Sequence, residues 1–131
     1  MKQLLNLTRC LAVAGLFASC QSVQQEANYQ VIPLPQEIVV EQGVPFILKS
    51  GVKILYPEGN EKMQRNAKFL ADYLKTATGK DFTIEAGTEG KNVIILALGT
   101  ENENPEAYQL KVAGDGVTIT GSTEAGGFYG I

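Results

Sequence analysis

The hydrophobic positions of this chain fall into segments of different period, and each period predicts an element. Met63, Ala67, Leu70, Tyr73, Leu74 and Ala77 recur every three or four residues, the spacing of one helical face. Asn60 before them is a good N-cap, and Gly79 sits where a left-handed C-cap belongs, so a helix is predicted over about residues 60–78. Elsewhere the period is two. Val52, Ile54 and Tyr56 alternate with Lys53 and Leu55, and residues 81–84 read as another strand. The run VIILAL over 93–98 is apolar almost throughout, which predicts a strand covered on both faces in the middle of a sheet.

The remaining segments complete the outline. Residues 29–38 carry Pro33 and Pro35, which cannot both donate to a central ladder, so this stretch is an extended entry segment or an edge strand. Ile38 and Val40, then Phe46 and Leu48, suggest short strands around a turn at Gln42-Gly43. Residues 107–120 predict a β-hairpin whose turn, Ala113 to Gly116, tolerates positive φ. At the carboxyl end Ser122 and Thr123 suggest an N-cap, and Phe128, Tyr129 and Ile131 the first apolar face of a second helix. The fold class is therefore α+β: a mixed or antiparallel sheet with one long helix, a second helix begun at the carboxyl end, and both helices on one face.

The first twenty residues do not belong to that fold. Lys2 and Arg9 precede an apolar run, LAVAGLFA over 11–18, and Ser19 stands just before Cys20, the layout of an export signal. The run is far short of the ~20 residues that span a bilayer, which makes a transmembrane anchor the weaker reading. LFASC over 16–20 resembles the lipobox of bacterial lipoproteins, although Phe17 replaces the usual Leu, Val or Ile. That resemblance implies cleavage after residue 19, lipidation of Cys20, and a place in the bacterial cell envelope, anchored on the periplasmic or outer-membrane side. The bland alternative is an ordinary signal peptide with a chance cysteine. Two or three acyl chains, at about 0.8 kcal/mol per buried CH₂, would make a durable anchor. Residues 20–28 are polar and aperiodic, a flexible tether, and 29–131 form the domain.

Charge and chemistry narrow the function classes. Without residues 1–19 the chain carries 9 basic and 14 acidic side chains, a net charge of −5 with no basic cluster, which argues against nucleic acid as a partner. It has no histidine, which excludes His-based triads and makes a zinc site improbable. Cys10 leaves with the signal and Cys20 takes the lipid, so no disulfide is expected and stability must come from packing. Glycoside hydrolysis needs two carboxyl groups at a fixed separation, or one with a group that positions the substrate; here the acids are scattered and no Asp-Glu pair occurs. Glu101, Glu103 and Glu106 with Asn102 and Asn104 lack EF-hand spacing and read as a solvated loop. AGGFYG over 125–130 fits neither phosphate-loop pattern, and close helix-on-sheet packing explains its glycines better. Tyr29, Tyr56, Tyr73, Tyr108 and Tyr129 could form a sugar-stacking platform, but the alternation puts most of them at core-facing positions. No catalytic, cofactor-binding or metal-ligating residue is assigned.

Four stretches occur in an order seen in one family. VIPLPQEI (31–38), FLADYLKTATGK (69–80), AYQLKV (107–112) and GVTITGSTEAGGFYGI (116–131) together resemble the small N-terminal domain of glycoside hydrolase family 20, the β-N-acetylhexosaminidases. The resemblance covers about residues 29–131. Ala107 stands where a glycine is common between Glu106 and Tyr108, and Gly127 widens the final motif. It implies a non-catalytic domain preceding, and packing against, a (β/α)₈ barrel. There a catalytic Asp-Glu pair would cleave terminal β-linked GlcNAc or GalNAc without a cofactor. The expected partners are that barrel of the same polypeptide, glycans through it, and a membrane through the lipid. The chain resembles the front piece of a larger enzyme, ending one turn into a helix. Two other readings stay open: the corresponding domain of a family 84 O-GlcNAc or hyaluronan hydrolase (or of some α-glucuronidases), and a free-standing lipid-anchored glycan-binding module.

Overall fold

The computed structural model describes residues 28–32, 34–100 and 102–131. The signal-like segment, Cys20 and the tether up to residue 27 lie outside the described residues. The chain divides into two units, Met1–Val39 and Val40–Ile131. The described part of the first has no helix or strand; its one local lock is the Gln30 N–H, which donates to Asn28 Oδ1 at 2.9 Å.

The second unit holds a five-stranded sheet and two helices. In chain order these are β1 (Lys53–Tyr56), α1 (Glu61–Thr78), β2 (Thr83–Ala86), β3 (Val93–Leu98), β4 (Tyr108–Ala113), β5 (Gly116–Gly121) and α2 (Glu124–Tyr129). Across the sheet the order is β2-β1-β3-β5-β4. The first four of these run parallel and β4 is antiparallel to β5, so the sheet is mixed and the expected α+β class holds. The apolar run of β3 is the middle strand, as its two-sided hydrophobicity requires.

Local chemistry sets α1 firmly. Asn60 adopts extended backbone (φ −99°, ψ 94°) and its Oδ1 accepts from the Met63 N–H at 3.0 Å, removing one orphan donor. At the other end Gly79 is left-handed at φ 70°, and its N–H donates to Lys75 O at 2.8 Å. Met63, Ala67, Leu70 and Ala71 are buried against Val52, just before β1, and against Ile54, Ile94, Leu96 and Ile119 of the sheet. Ile54, Met63 and Leu96 are sealed completely. Tyr73 and Ala77, expected on the buried stripe, are exposed instead. The buried stripe runs through Ala71 and Leu74 instead, with Leu74 partly buried on the core beside Phe82 and Ile84 near the short edge strand β2.

Connections explain two more departures. Six residues, Gly87 to Asn92, carry the chain from β2 past β1 to β3, where a parallel crossover ordinarily needs a dozen or more. Strands this short make the shortcut possible. Gly87 and Gly90 lie against Leu55, so Leu55 is buried on the face opposite the helices, although the alternation groups it with Lys53. Asn92 closes the passage in the left-handed region at φ 56°, which asparagine tolerates, and its N–H donates to Asp115 O at 2.6 Å.

Residues 38–48 form no strand. Phe46 and Leu48 pack on the core one by one, while Lys80 Nζ donates to Leu48 O at 2.9 Å and Val44 meets Gly114 at the hairpin turn. This stretch closes one end of the core without a ladder partner. The hairpin also differs in detail: Gly114 and Asp115 are not among the positive-φ residues, and the glycine there serves the close approach of Val44.

The last element rests on backbone proximity. A Cβ on Gly121 would overlap Gly127 N, and one on Gly126 would overlap the Ala107 carbonyl oxygen, so α2 can settle against β5 and the start of β4 only with glycine at both places. Alanine at 126 would gain ~1 kcal/mol of helix propensity but meets a backbone oxygen that cannot rotate aside, an overpacking cost in the upper part of the usual range, ~2–3 kcal/mol. We expect Gly126→Ala to lose about 1–2 kcal/mol net in urea unfolding of the 131-residue chain, with unchanged stability counting against this account.

Candidate functional site

The carboxylates come first, because hydrolysis would need them. They are dispersed over separate elements: Glu61 opens α1, Asp72 lies on its middle, Glu85 on the edge strand β2, Asp115 in the hairpin turn and Glu124 at the start of α2. Lys53–Glu85 at 2.6 Å, Lys68–Asp72 at 2.9 Å and Lys75–Asp81 at 2.6 Å are exposed ion pairs, which water and salt screen to little net stabilisation. Among the described residues no three His, Cys, Asp or Glu side chains gather within reach of one ion. The Asn102–Glu106 loop is organised by its own Asx turns: Asn102 Oδ1 accepts from Asn104 N–H and Asn104 Oδ1 from Glu106 N–H, both at 2.9 Å.

Among the described acids, Glu124 is the one built into a hydrogen-bond network. Its backbone oxygen accepts from Asn66 Nδ2 at 2.8 Å, its Oε1 from Asn60 Nδ2 at 3.1 Å, and Lys62 Nζ lies 3.9 Å from Oε2. A hydrogen bond from its own backbone N–H, then the Asn60 amide, hold its carboxyl below the ordinary 4.5. That is the wrong direction for a general acid, which needs a raised value. Glu124 is a fastener between the two helices.

What the helices present outward is more distinctive. Thr123 caps α2, its Oγ1 accepting from the Ala125 and Gly126 N–H groups and donating to Pro105 O. Ser122, the other expected cap, instead donates to Asn104 O at 2.6 Å and Ala107 O at 3.2 Å, tying the acidic loop to the end of β5. With α2 held this way, Phe128 stands beside Phe69 of α1, ring centroids 5.1 Å apart at 52°, and Tyr129 follows at 6.2 Å from Phe128. Tyr73 is four residues along α1 from Phe69, on the same side of that helix. All four rings are about half exposed, between 44% and 59%. The sequence placed most tyrosines in the core; the structure leaves Tyr29, Tyr73 and Tyr129 exposed, and only Tyr56 and Tyr108 are half-buried. The signal for this surface was present in the sequence as aromatics at 69, 73, 128 and 129, but their convergence depends on where α2 docks.

The opposite sheet face is different in kind. Lys53, Gln109, Lys111, Thr118 and Thr120 share it, with a shallow trough of about 220 Å³ between Val93, Ile95, Lys111 and Thr118. No aromatic ring lines that trough, so it offers a sugar no stacking platform.

Glycosyl hydrolase family 20, domain 2, matches residues 28–131 of this sequence. The chain belongs to that family. The family-20 domain is 29% identical over 131 residues to a beta-hexosaminidase of Porphyromonas gingivalis strain ATCC BAA-308 / W83, covering 98% of this chain and 16% of that protein. Its fold matches the β-N-acetylhexosaminidase of Streptomyces coelicolor A3(2) with a TM-score of 0.67 and 32% identity, over 78% of this chain and 20% of that one. A Streptomyces plicatus β-hexosaminidase in complex with its product GlcNAc gives a TM-score of 0.68 and 33% identity at the same coverage. The chain thus spans a fifth or less of the length of these relatives.

The lowered carboxyl of Glu124 makes the family-20 domain acid-sensitive at one named place. Its contribution is whole above pH 4.5, fades as the unfolded chain takes up the proton, and is lost once pH falls through the folded value. The stability gap between the natural chain and Glu124→Gln, followed by urea unfolding, is therefore expected to stay level from pH 7 to about 5.5 and to close below 4.5. A gap that is flat down to pH 3 would remove Glu124 from this role.

Proposed function

We propose that this chain is the non-catalytic α+β domain of a β-N-acetylhexosaminidase that removes terminal β-linked GlcNAc or GalNAc. The observation that carries the reading is the family match over residues 28–131, set beside relatives about four to six times as long as this chain. In the proposed whole enzyme a barrel beyond Ile131 supplies an Asp-Glu pair. The substrate's 2-acetamido oxygen attacks the anomeric carbon, the Asp orients that group, and the Glu protonates the leaving oxygen. Water, giving its proton to the same Glu, then displaces the acetamido oxygen from the anomeric carbon, so the configuration is retained without a cofactor. The described acids of this domain, dispersed or fastened as Glu124 is, take no part; the domain acts as a structural support for the barrel. The 131-residue chain is expected to leave a chromogenic β-GlcNAc substrate intact, while the polypeptide from the full reading frame cleaves it. Turnover by the short chain, or a frame lacking an Asp-Glu pair downstream, would sink this reading.

We further propose that the enzyme is held at the bacterial cell envelope through a lipid on Cys20, with residues 21–28 as a spacer. The support is the order of charge, apolar run, Ser19 and Cys20 in the sequence. Cells grown with labelled palmitate are expected to transfer label to the natural protein and none to Cys20→Ala. Equal labelling of both would overturn the anchor.

A further inference from the structure

We propose that Met63 is an oxidation site that governs the seating of α2: the helix shields its sulfur, and conversion to the sulfoxide by hydrogen peroxide releases the helix. From Gln21 onward Met63 carries the only sulfur of the chain, since the other methionine is Met1 and the cysteines are Cys10 and Cys20. Its side chain is sealed completely at the seam between the helices. Sδ accepts a weak hydrogen bond from Asn66 Nδ2 at 3.6 Å, and the same amide donates to Glu124 O at 2.8 Å. Gly127 of α2 lies against the same sulfur: a Cβ there would come within 3.3 Å of both Sδ and Cε. One sulfur thus touches the amide that holds α2 and the place where α2 lies closest. The inference concerns this seam and does not depend on what the parent protein hydrolyses.

The chemistry follows from that position. The sulfur gives two electrons to the peroxide; one peroxide oxygen stays on Sδ as the sulfoxide, and the other leaves as water with both protons. A flexible apolar side chain becomes a polar one with a strong acceptor. The new oxygen competes with Glu124 O for the Asn66 amide, and it needs space where Gly127 is already close. Both effects weigh on α2, the element with least stability of its own. Access follows the same path. A sealed sulfur meets peroxide only when the structure opens locally, and such openings begin at short elements with few fastenings. The six residues of α2 are that element, while Met63 itself sits on α1, eighteen residues long and capped at both ends.

Peptide-resolved mass spectrometry of the 131-residue chain in hydrogen peroxide tests the shield. Met63 is expected to oxidise at least ~10-fold more slowly in the folded chain than in the chain unfolded by urea. Thr123→Ala, which removes the α2 cap, is expected to speed the reaction about fivefold, whereas Ile84→Val on β2, a core change of similar global cost, leaves it unchanged. Equal acceleration by both variants would assign the opening to global unfolding and overturn the gate. Oxidation of the folded chain at the unfolded rate would overturn the shield. Amide exchange tests the release. In the oxidised chain Gly127 and Gly130 are expected to lose protection ~10-fold or more while Ile94 and Leu96 of β3 keep theirs, and Met63→Leu is expected to show no response to peroxide. Unchanged exchange at Gly127 and Gly130, or the same loss in Met63→Leu, would overturn the proposal. Equal loss at Ile94 and Leu96 would do so too, because it would mean collapse of the core and not release of one helix.

Discussion

The contact of α2 with the end of β5 and the start of β4 governs the rest of this molecule's outward character. Six residues of helix have no stability of their own, because nucleation is not repaid over so few hydrogen bonds. The helix exists because Gly121 and Gly126 let backbone lie on backbone, because Thr123 satisfies its first donors, and because Asn66 and Asn60 hold Glu124 from the neighbouring helix. Through this one seam a strand end, a loop and both helices become a single rigid corner. Phe128 reaches Phe69 only once that corner is set.

Among the described residues, the polar groups around the helix seam are already spent on structure. Asparagines 60 and 66 cap and cross-link; Ser122 and Thr123 tie the acidic loop to the sheet; Asn102 and Asn104 close turns on themselves. A catalytic carboxyl needs the reverse, a site that destabilises its charged form and leaves it free for substrate. A scaffold of this kind can vary its surface freely where it faces water, while the seam glycines and the helix caps are fixed by geometry.

Burial is concentrated between the helices and the sheet, while Leu55, Val93, Ile95 and Ala97 run as an apolar strip among the polar side chains of the opposite face. The core is a single cluster between α1 and the middle strands, and its edges are thin: β2 is only four residues long, and Leu110 and Val112 on the edge strand β4 stay exposed on the helix side of the sheet.

The sequence by itself determined the elements whose cause is local. Asn60 and Gly79 bracketed α1 correctly, the unbroken apolar run of 93–98 identified the middle strand, and the Gly-rich end of the chain announced close helix packing. The ordered motifs also reached the family before any coordinates did. The rest was decided by neighbours. Residues 38–48 have strand composition and no strand, since a strand requires a partner that period alone cannot supply. Leu55 looked outward until a six-residue crossover folded over it. Tyr73 and Tyr129 looked inward until the packing of α1 through Ala71 and Leu74 and the docked α2 left them facing away from the core. Periodicity tells which residues share a side; only tertiary packing tells which side is covered, because burial depends on what another part of the chain happens to place there.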